Sequence, residues 1–185
     1  MRERTRLTFE DLNDPKNRKD IPKVPGLYKV ILPDNMDMVI AEKTRACDRC
    51  YKIKDQKGKT YLEKIWDSLK KAGTLEDRVL YIGKGIDINK RLNLYKRVMY
   101  NNGYNHSGGV YICQIENCEK LVVEWYEHHS DALTKYLNLP KEKQKDRSNP
   151  IRKKVEDELL AKESAWIVKY RENHEGLFPF ANRKN

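Results

Sequence analysis

No run of about 18 consecutive apolar residues occurs in this 185-residue chain, so no segment reads as a membrane span. The N-terminus, Met1-Arg2-Glu3-Arg4-Thr5-Arg6, is followed by no apolar h-region, and no signal peptide is expected. The expected location is therefore the cytoplasm, with thiols reduced. Cysteine is scarce: Cys47 and Cys50 form one CxxC pair, and Cys113 and Cys118 stand four residues apart from end to end of a C-x₄-C. A zinc site needs four ligands on one tetrahedron, and these two pairs fit that poorly, so ordinary thiols are expected and zinc is not. Internal repeats and low-complexity tracts are absent. Negative charge is also in deficit, with 28 Asp and Glu against 38 Lys and Arg, a formal net charge of +10. That excess points to a polyanionic partner, nucleic acid first, against the plainer reading of a lysine-rich soluble protein.

What remains is enough chain for one domain, residues 1–185, with a real core. Residues 1–22 are polar, carry Pro15 and Pro22, and read as an N-terminal arm or a loosely packed entry. Residues 26–32, GLYKVIL, read as a strand, and residues 79–82 as a second. Between them, residues 33–78 form a basic insert that is long for a connection within one sheet. Tyr61, Leu62, Ile65, Trp66 and Leu69 follow a 3.6-residue period there, which predicts a helix stopped by Gly73. Within the insert, residues 41–59 hold seven basic and three acidic residues, either a DNA-reaching element or a solvated excursion.

Asp87 predicts an N-cap for a helix over 88–100, after which Gly103 and Gly108-Gly109 break the chain. Residues 110–116 and 120–127 read as a β-hairpin turning at Asn117-Cys118-Glu119. A short helix over 131–137 follows. Residues 138–150 form a basic loop, part of a run over 135–154 with eight basic and two acidic residues, either solvated or contacting a nucleic-acid backbone. A long helix is predicted over 151–173, ended by Gly176, with an apolar tail, Leu177 to Asn182, folding back. The order implies an α+β fold, a small, mainly antiparallel central sheet flanked by helices, with a long insert between the first two core strands.

Three positions carry the chemistry. In Leu80-Tyr81-Ile82-Gly83-Lys84-Gly85, a strand end runs into a glycine-bounded turn holding one lysine, and the following helix presents Arg91. Arg91 has Ile88, Leu92, Leu94 and Tyr95 around it, so its guanidinium faces inward and needs an anion. Glu163 has Leu159, Leu160, Trp166 and Ile167 at its −4, −3, +3 and +4 positions. A carboxylate on such a stripe needs a cation. It is either one half of a buried ion pair, with Arg91 a candidate partner, or a metal ligand or general base in a cleft.

Gly26-Leu27-Tyr28 on the first strand and Tyr81-Ile82-Gly83 on the second, followed by Lys84, Gly85, Arg91, Tyr95, Glu163 and Asn182 in that order, resemble the GIY-YIG nuclease family. The resemblance spans residues 26–32, 79–112 and 155–182. Either tripeptide alone is commonplace; the ordered set is not. Asn105-His106-Ser107-Gly108-Gly109 resembles a histidine–glycine segment of the family's type II restriction branch, which long inserts also fit. His106 is equally readable as a loop histidine.

The resemblance implies a divalent-metal-dependent endonuclease acting on double-stranded DNA, with one Mg²⁺ or Mn²⁺ held by Glu163. Arg91 would neutralise the phosphate, and Lys84 would hold phosphate or water and lower a tyrosine pKa. Tyr28 would be the general base, Tyr81 would orient water or phosphate, and His106 would belong to the catalytic set. Gly83, Gly85 and Tyr95 would support the site, and Asn182 would brace the glutamate helix or the metal shell. Restriction enzymes of this kind often act as homodimers. A phage, mobile-element or repair nuclease, or an inactive nucleic-acid-binding module, are the alternatives.

Overall fold

The computed structural model describes residues 6–39, 78–101 and 107–182. Its centre is an antiparallel sheet of four strands in the order β1-β4-β2-β3. These are β1 (Arg6–Thr8), β2 (Gly26–Ile31), β3 (Val79–Gly85) and β4 (Val122–Glu127). The helices are α1 (Ile88–Asn101), α2 (Ser107–Ile112), α3 (Asp131–Leu137), α4 (Lys141–Lys145) and α5 (Pro150–Asn173). The architecture is α+β. No helix among the described residues is long and apolar enough to cross a membrane.

Period-two alternation sorts the strands onto two faces. Tyr28 stands opposite Gly83 and Val30 opposite Tyr81, so both phenols share one face. That face packs on Leu92, Tyr95 and Met99 of α1, on Ile112 of α2 and on Trp125 of β4. Leu27 stands opposite Lys84 and Lys29 opposite Ile82, on the face that α3 and α5 cover through Leu133, Val155, Leu159 and Tyr170. The register slips between Val30 and Ile31, leaving Leu80 as an extra residue in β3. This bulge turns Leu80 into the α1 side of the core while Val79 faces α5.

Two expectations fail here for related reasons. Residues 110–116 are not a strand: Val110, Tyr111 and Ile112 end α2, and Cys113 N–H donates to Gly109 O at 2.9 Å in helical register. Those apolar residues are buried together with Cys113 and Ile115, and a short run buried on every side carries no period to separate helix from strand. The pairing edge of β4 is taken instead by β1, from the segment read as an arm, with Leu7 opposite Val123. Phe9, Leu12 and Ile21 are almost wholly enclosed, so the segment is anchored in the core at these three positions.

The predicted helix around Tyr61 to Leu69, and Cys47 and Cys50, lie outside the described residues. The base of the 33–78 insert is nevertheless defined. Leu32 N–H donates to Arg78 O at 2.9 Å, and the Arg78 guanidinium bonds the carbonyls of Leu32, Pro33 and Met36. Arg78 takes φ 53°, so the chain re-enters the sheet through one left-handed residue held by its own side chain.

The helix α5 is fixed at both ends and in the middle. Asn149 caps its N-terminus through the Ile151 and Arg152 amides, with Pro150 at the first position. Gly176, at φ 81°, closes the far end by donating to Arg171 O at 2.7 Å. In between, Glu158 accepts from Ser130 Oγ at 2.6 Å and from the buried His128 ring at 2.8 Å. Lys162 Nζ lies 3.0 Å from the other ring nitrogen, His128 Nδ1.

The Ser130 and His128 hydrogen bonds hold the Glu158 carboxyl below its usual pKa. A depressed folded-state pKa stabilises the fold above the unfolded carboxylate pKa of about 4.3, and that contribution is lost as pH falls through the folded value. Urea midpoints for wild type should therefore fall faster below about pH 4.3 than those of Glu158→Gln. Parallel midpoints across the acid range would show that these bonds do not couple to folding.

Candidate active site

The strand β3 lies at the sheet's edge, and its last residues feed α1 through a tight junction. Asp87 caps that helix by accepting from the Lys90 amide at 2.9 Å. Arg91 and Tyr95, one turn apart on α1, then both point back over the strands. The Tyr28 and Tyr81 rings sit 5.8 Å apart, and Tyr95 meets each of them edge-on, also at 5.8 Å. Tyr95 stacks on Phe9 at 5.5 Å, which makes it a core residue as well as a site neighbour. Arg91 Nε donates to the Tyr28 hydroxyl at 3.3 Å.

Gly83 makes this cluster sterically possible. A Cβ there would lie 2.5 Å from the Tyr81 ring and 2.6 Å from the Tyr28 Cζ and hydroxyl oxygen. Gly85 has a lesser role, since its Cβ would stand 3.0 Å from the Arg91 Cβ. Gly108, which the sequence marks only as a chain break, packs against the other side of Tyr81, where a Cβ would come within 2.5 Å of the ring. Its closeness was not legible because the signal, a Gly-Gly pair, reads equally as a turn.

The ionic half of the cluster comes from the other face of β3. Lys84 Nζ lies 3.4 Å from Glu163 Oε2. Their side chains are 32% and 17% exposed, so this is a cleft-edge pair, not a deeply buried one. Glu163 sits at the margin of the apolar stripe: Leu159 is buried, but Leu160 is 47% exposed. The cation the fold gives Glu163 is Lys84, not the expected candidate Arg91, which goes to Tyr28. The two halves still communicate around the edge strand, because the Glu163 charge acts to raise the pKa of Tyr81.

The electrostatics revise two expected roles. Burial pushes Tyr28 well above an ordinary phenol, with Tyr81 adding to the shift and Arg91 and Tyr95 opposing it. Tyr81 is raised too, by burial first, with Arg91 lowering it and Glu163 raising it. The chief cation lowering both tyrosines is Arg91, whose own charged form is favoured by the phenol oxygens despite its burial. Tyr28 is fully enclosed while Tyr81 is 8% exposed, so of this pair only Tyr81 keeps any exposed surface. The reason is topological: β2 is an inner strand under α1, and β3 is the edge.

Asn182 also has a different task from the one expected. Its Oδ1 accepts from Ile82 N–H at 2.6 Å and its Nδ2 donates to Ile82 O at 2.6 Å. With Ala181 N–H on Leu80 O at 2.7 Å, the tail covers the free edge of β3 as a short strand would. It braces the strand that carries Tyr81 and Lys84, not the glutamate helix. His106 lies outside the described residues.

Lys84 and Arg91 line one end of a cleft of about 990 Å³ that runs past α4 to the first turns of α5. Eight of its lining residues are Lys or Arg and three are Asp or Glu, a lining suited to an anion. Among the described residues there is no group of three or more His, Cys, Asp or Glu placed to hold a metal ion. Cys113 and Cys118 are both buried. Comparisons with family models, with curated proteins and with solved structures return no match.

Proposed function

We propose that this chain is a divalent-metal-dependent DNA endonuclease of the GIY-YIG kind, most like the family's restriction branch. The observation that carries the proposal is the register of β2 and β3. It sets Tyr28 opposite Gly83 and Val30 opposite Tyr81, so that Tyr28 and Tyr81 share one face under Arg91, with Lys84 and Glu163 around the same edge. A core built only for stability has no use for a guanidinium that bonds an enclosed phenol and also lines a cationic cleft.

Glu163 is the residue that would hold Mg²⁺ or Mn²⁺. Its carboxylate already balances one cation, the Lys84 ammonium, so positive charge at that position fits the site. One carboxylate suits an ion that keeps most of its water, and a bound ion would supply Lewis-acid stabilisation of charge developing on phosphate oxygens. Arg91, which lines the cleft, stabilises the same charge from the opposite side. Lys84, released from Glu163, holds a phosphate oxygen. Tyr81 takes the proton from water, and Tyr28 anchors Arg91 from beneath. Double-stranded DNA is the partner, and a homodimer would place two such sites on the two strands.

The test is plasmid cleavage with Mg²⁺ or Mn²⁺, with chelator controls. Discrete fragments support restriction; nicking confined to branches or flaps supports a repair role. DNA binding without cleavage on any DNA would instead support a binding module. A pH series tests Tyr81. Because its pKa is raised, the phenolate fraction and the single-turnover rate should climb from pH 6 to 9, by about tenfold per unit while the group remains mostly protonated. Tyr81→Phe should be slower and flatter across the same range. Equal slopes for both proteins would remove Tyr81 from the proton transfer.

A further inference from the structure

The basic segment 138–149 is an ordered arch. Gln144 lies at its centre: its side-chain amide donates to Leu137 O at 3.1 Å and Leu139 O at 2.8 Å. Its own carbonyl accepts from the Tyr136 hydroxyl at 3.2 Å and from Arg152 Nη1 at 2.9 Å. Arg152 also reaches Lys145 O at 2.8 Å and is held in turn by Glu156 at 2.9 Å. Asp146 closes the far end through the Ser148 amide and hydroxyl, at 2.9 and 2.7 Å. The cations of the arch divide accordingly. Arg152 is committed to backbone carbonyls, while Lys141, Lys145 and Arg147 are exposed and line the cleft that also contains Arg91. Lys141 makes one contact, 3.3 Å to the neutral Gln144 side chain.

A solvated charge run does not need its carbonyls tied together or its charges set along one wall of a cleft. We infer that this arch is the track for the DNA backbone, with Lys141, Lys145 and Arg147 each contacting a phosphate of the strand that enters the site. This rests on the nuclease reading for the identity of the polyanion. The fixed arch means that little backbone freedom is lost when DNA binds. Its contacts are to phosphates, so it positions the strand and reads no sequence.

The experiment measures binding separately from cleavage. Fluorescence anisotropy with a mixed-sequence duplex of about 30 base pairs, in EDTA, is followed from about 50 to about 200 mM KCl. Three proteins are compared: wild type, the arch variant Lys141→Ala/Lys145→Ala/Arg147→Ala, and a control that loses the same charge from exposed sites off the cleft, Lys16→Ala/Lys19→Ala/Lys169→Ala. Each lost phosphate contact lowers the slope of log K against log salt by about 0.9, so the arch variant should lose nearly 3 from its slope and at least about tenfold in affinity. The control should keep both. Equal losses in the two variants, no loss in the arch variant, or no wild-type binding would each overturn the inference. Cleavage by wild type in the plasmid assay decides the nuclease reading independently: an enzyme that cuts DNA with an unaffected arch variant refutes the track alone. Thermal melts of both variants should match wild type, because the bonds that build the arch belong to Gln144, Arg152 and Asp146.

Discussion

Arg91→Ala and Glu163→Gln should each slow metal-dependent DNA cleavage by roughly 10²–10³-fold or more, the usual cost of removing one preorganised partner of transition-state charge. The two losses have different origins. Arg91 is the cation that both lines the cleft and bonds a phenol of the site, so its removal takes away charge stabilisation and frees the Tyr28 hydroxyl from its donor. Arg91→Lys should not restore the rate, because an ammonium cannot keep the Nε bond to Tyr28 while turning its other donors to phosphate. Glu163→Gln keeps the shape and removes the charge. It leaves Lys84 without its anion, a small matter for stability in a pair this exposed, where an ion pair contributes about 0–1 kcal/mol. Its cost should fall on metal dependence, so the activation curve for Mg²⁺ or Mn²⁺ should weaken or vanish while the fold and metal-free DNA binding persist. Single-turnover rates and metal titrations on a DNA that wild type cuts measure both. Wild-type rates in the two variants would end the assignment of this cluster as the active centre.

Much of the site was legible because its geometry is local. Tyr81, Gly83, Lys84, Gly85, Asp87 and Arg91 lie within one strand–helix junction, where cap chemistry and strand alternation fix their directions. The helices over 131–137 and 151–173 were legible too, and Gly176, read as the stop of the second, closes it. What escaped depends on partners far along the chain. Whether residues 110–116 become helix or strand is decided by whether β4 finds β1 instead. Leu7, Phe9, Leu12 and Ile21 are too sparse to show any period, yet all but Leu7 are almost wholly enclosed. Which tyrosine is fully enclosed follows from sheet order, since β2 is an inner strand and β3 is not. The same order explains Asn182, whose amide completes an edge that no sequence pattern identifies as an edge. The arch escaped because its organiser, Gln144, is an uncharged residue inside a conspicuous charge run.

Gly83→Ala should be among the most damaging single-methyl changes in the described structure, and for a reason separate from backbone freedom. Gly83 is an extended strand residue, so its backbone conformation suits alanine; the conflict is with the added carbon, 2.5 Å from the Tyr81 ring and 2.6 Å from Tyr28. Neither ring has room to yield. Tyr28 is wedged against Tyr95, Tyr95 against Phe9, and Tyr81 against Gly108 on its other side. Overpacking a site of this kind costs about 1–3 kcal/mol, which for a chain of this size lowers Tm by roughly 2–12 °C. Activity should fall further than stability does, because the displaced groups are the phenols under Arg91. Gly176→Ala provides the contrast. Nothing lies within 4 Å of a Cβ at Gly176, but its φ of 81° is left-handed, so the expected cost of about 1–2 kcal/mol is purely conformational. Its cleavage rate should stay at the wild-type level at temperatures where both proteins are folded. If Gly83→Ala instead melts and cuts like wild type, the two phenols are looser than their packing implies. Arg91 could not then be held over Tyr28 by the cluster, and its placement would have to come from α1 alone.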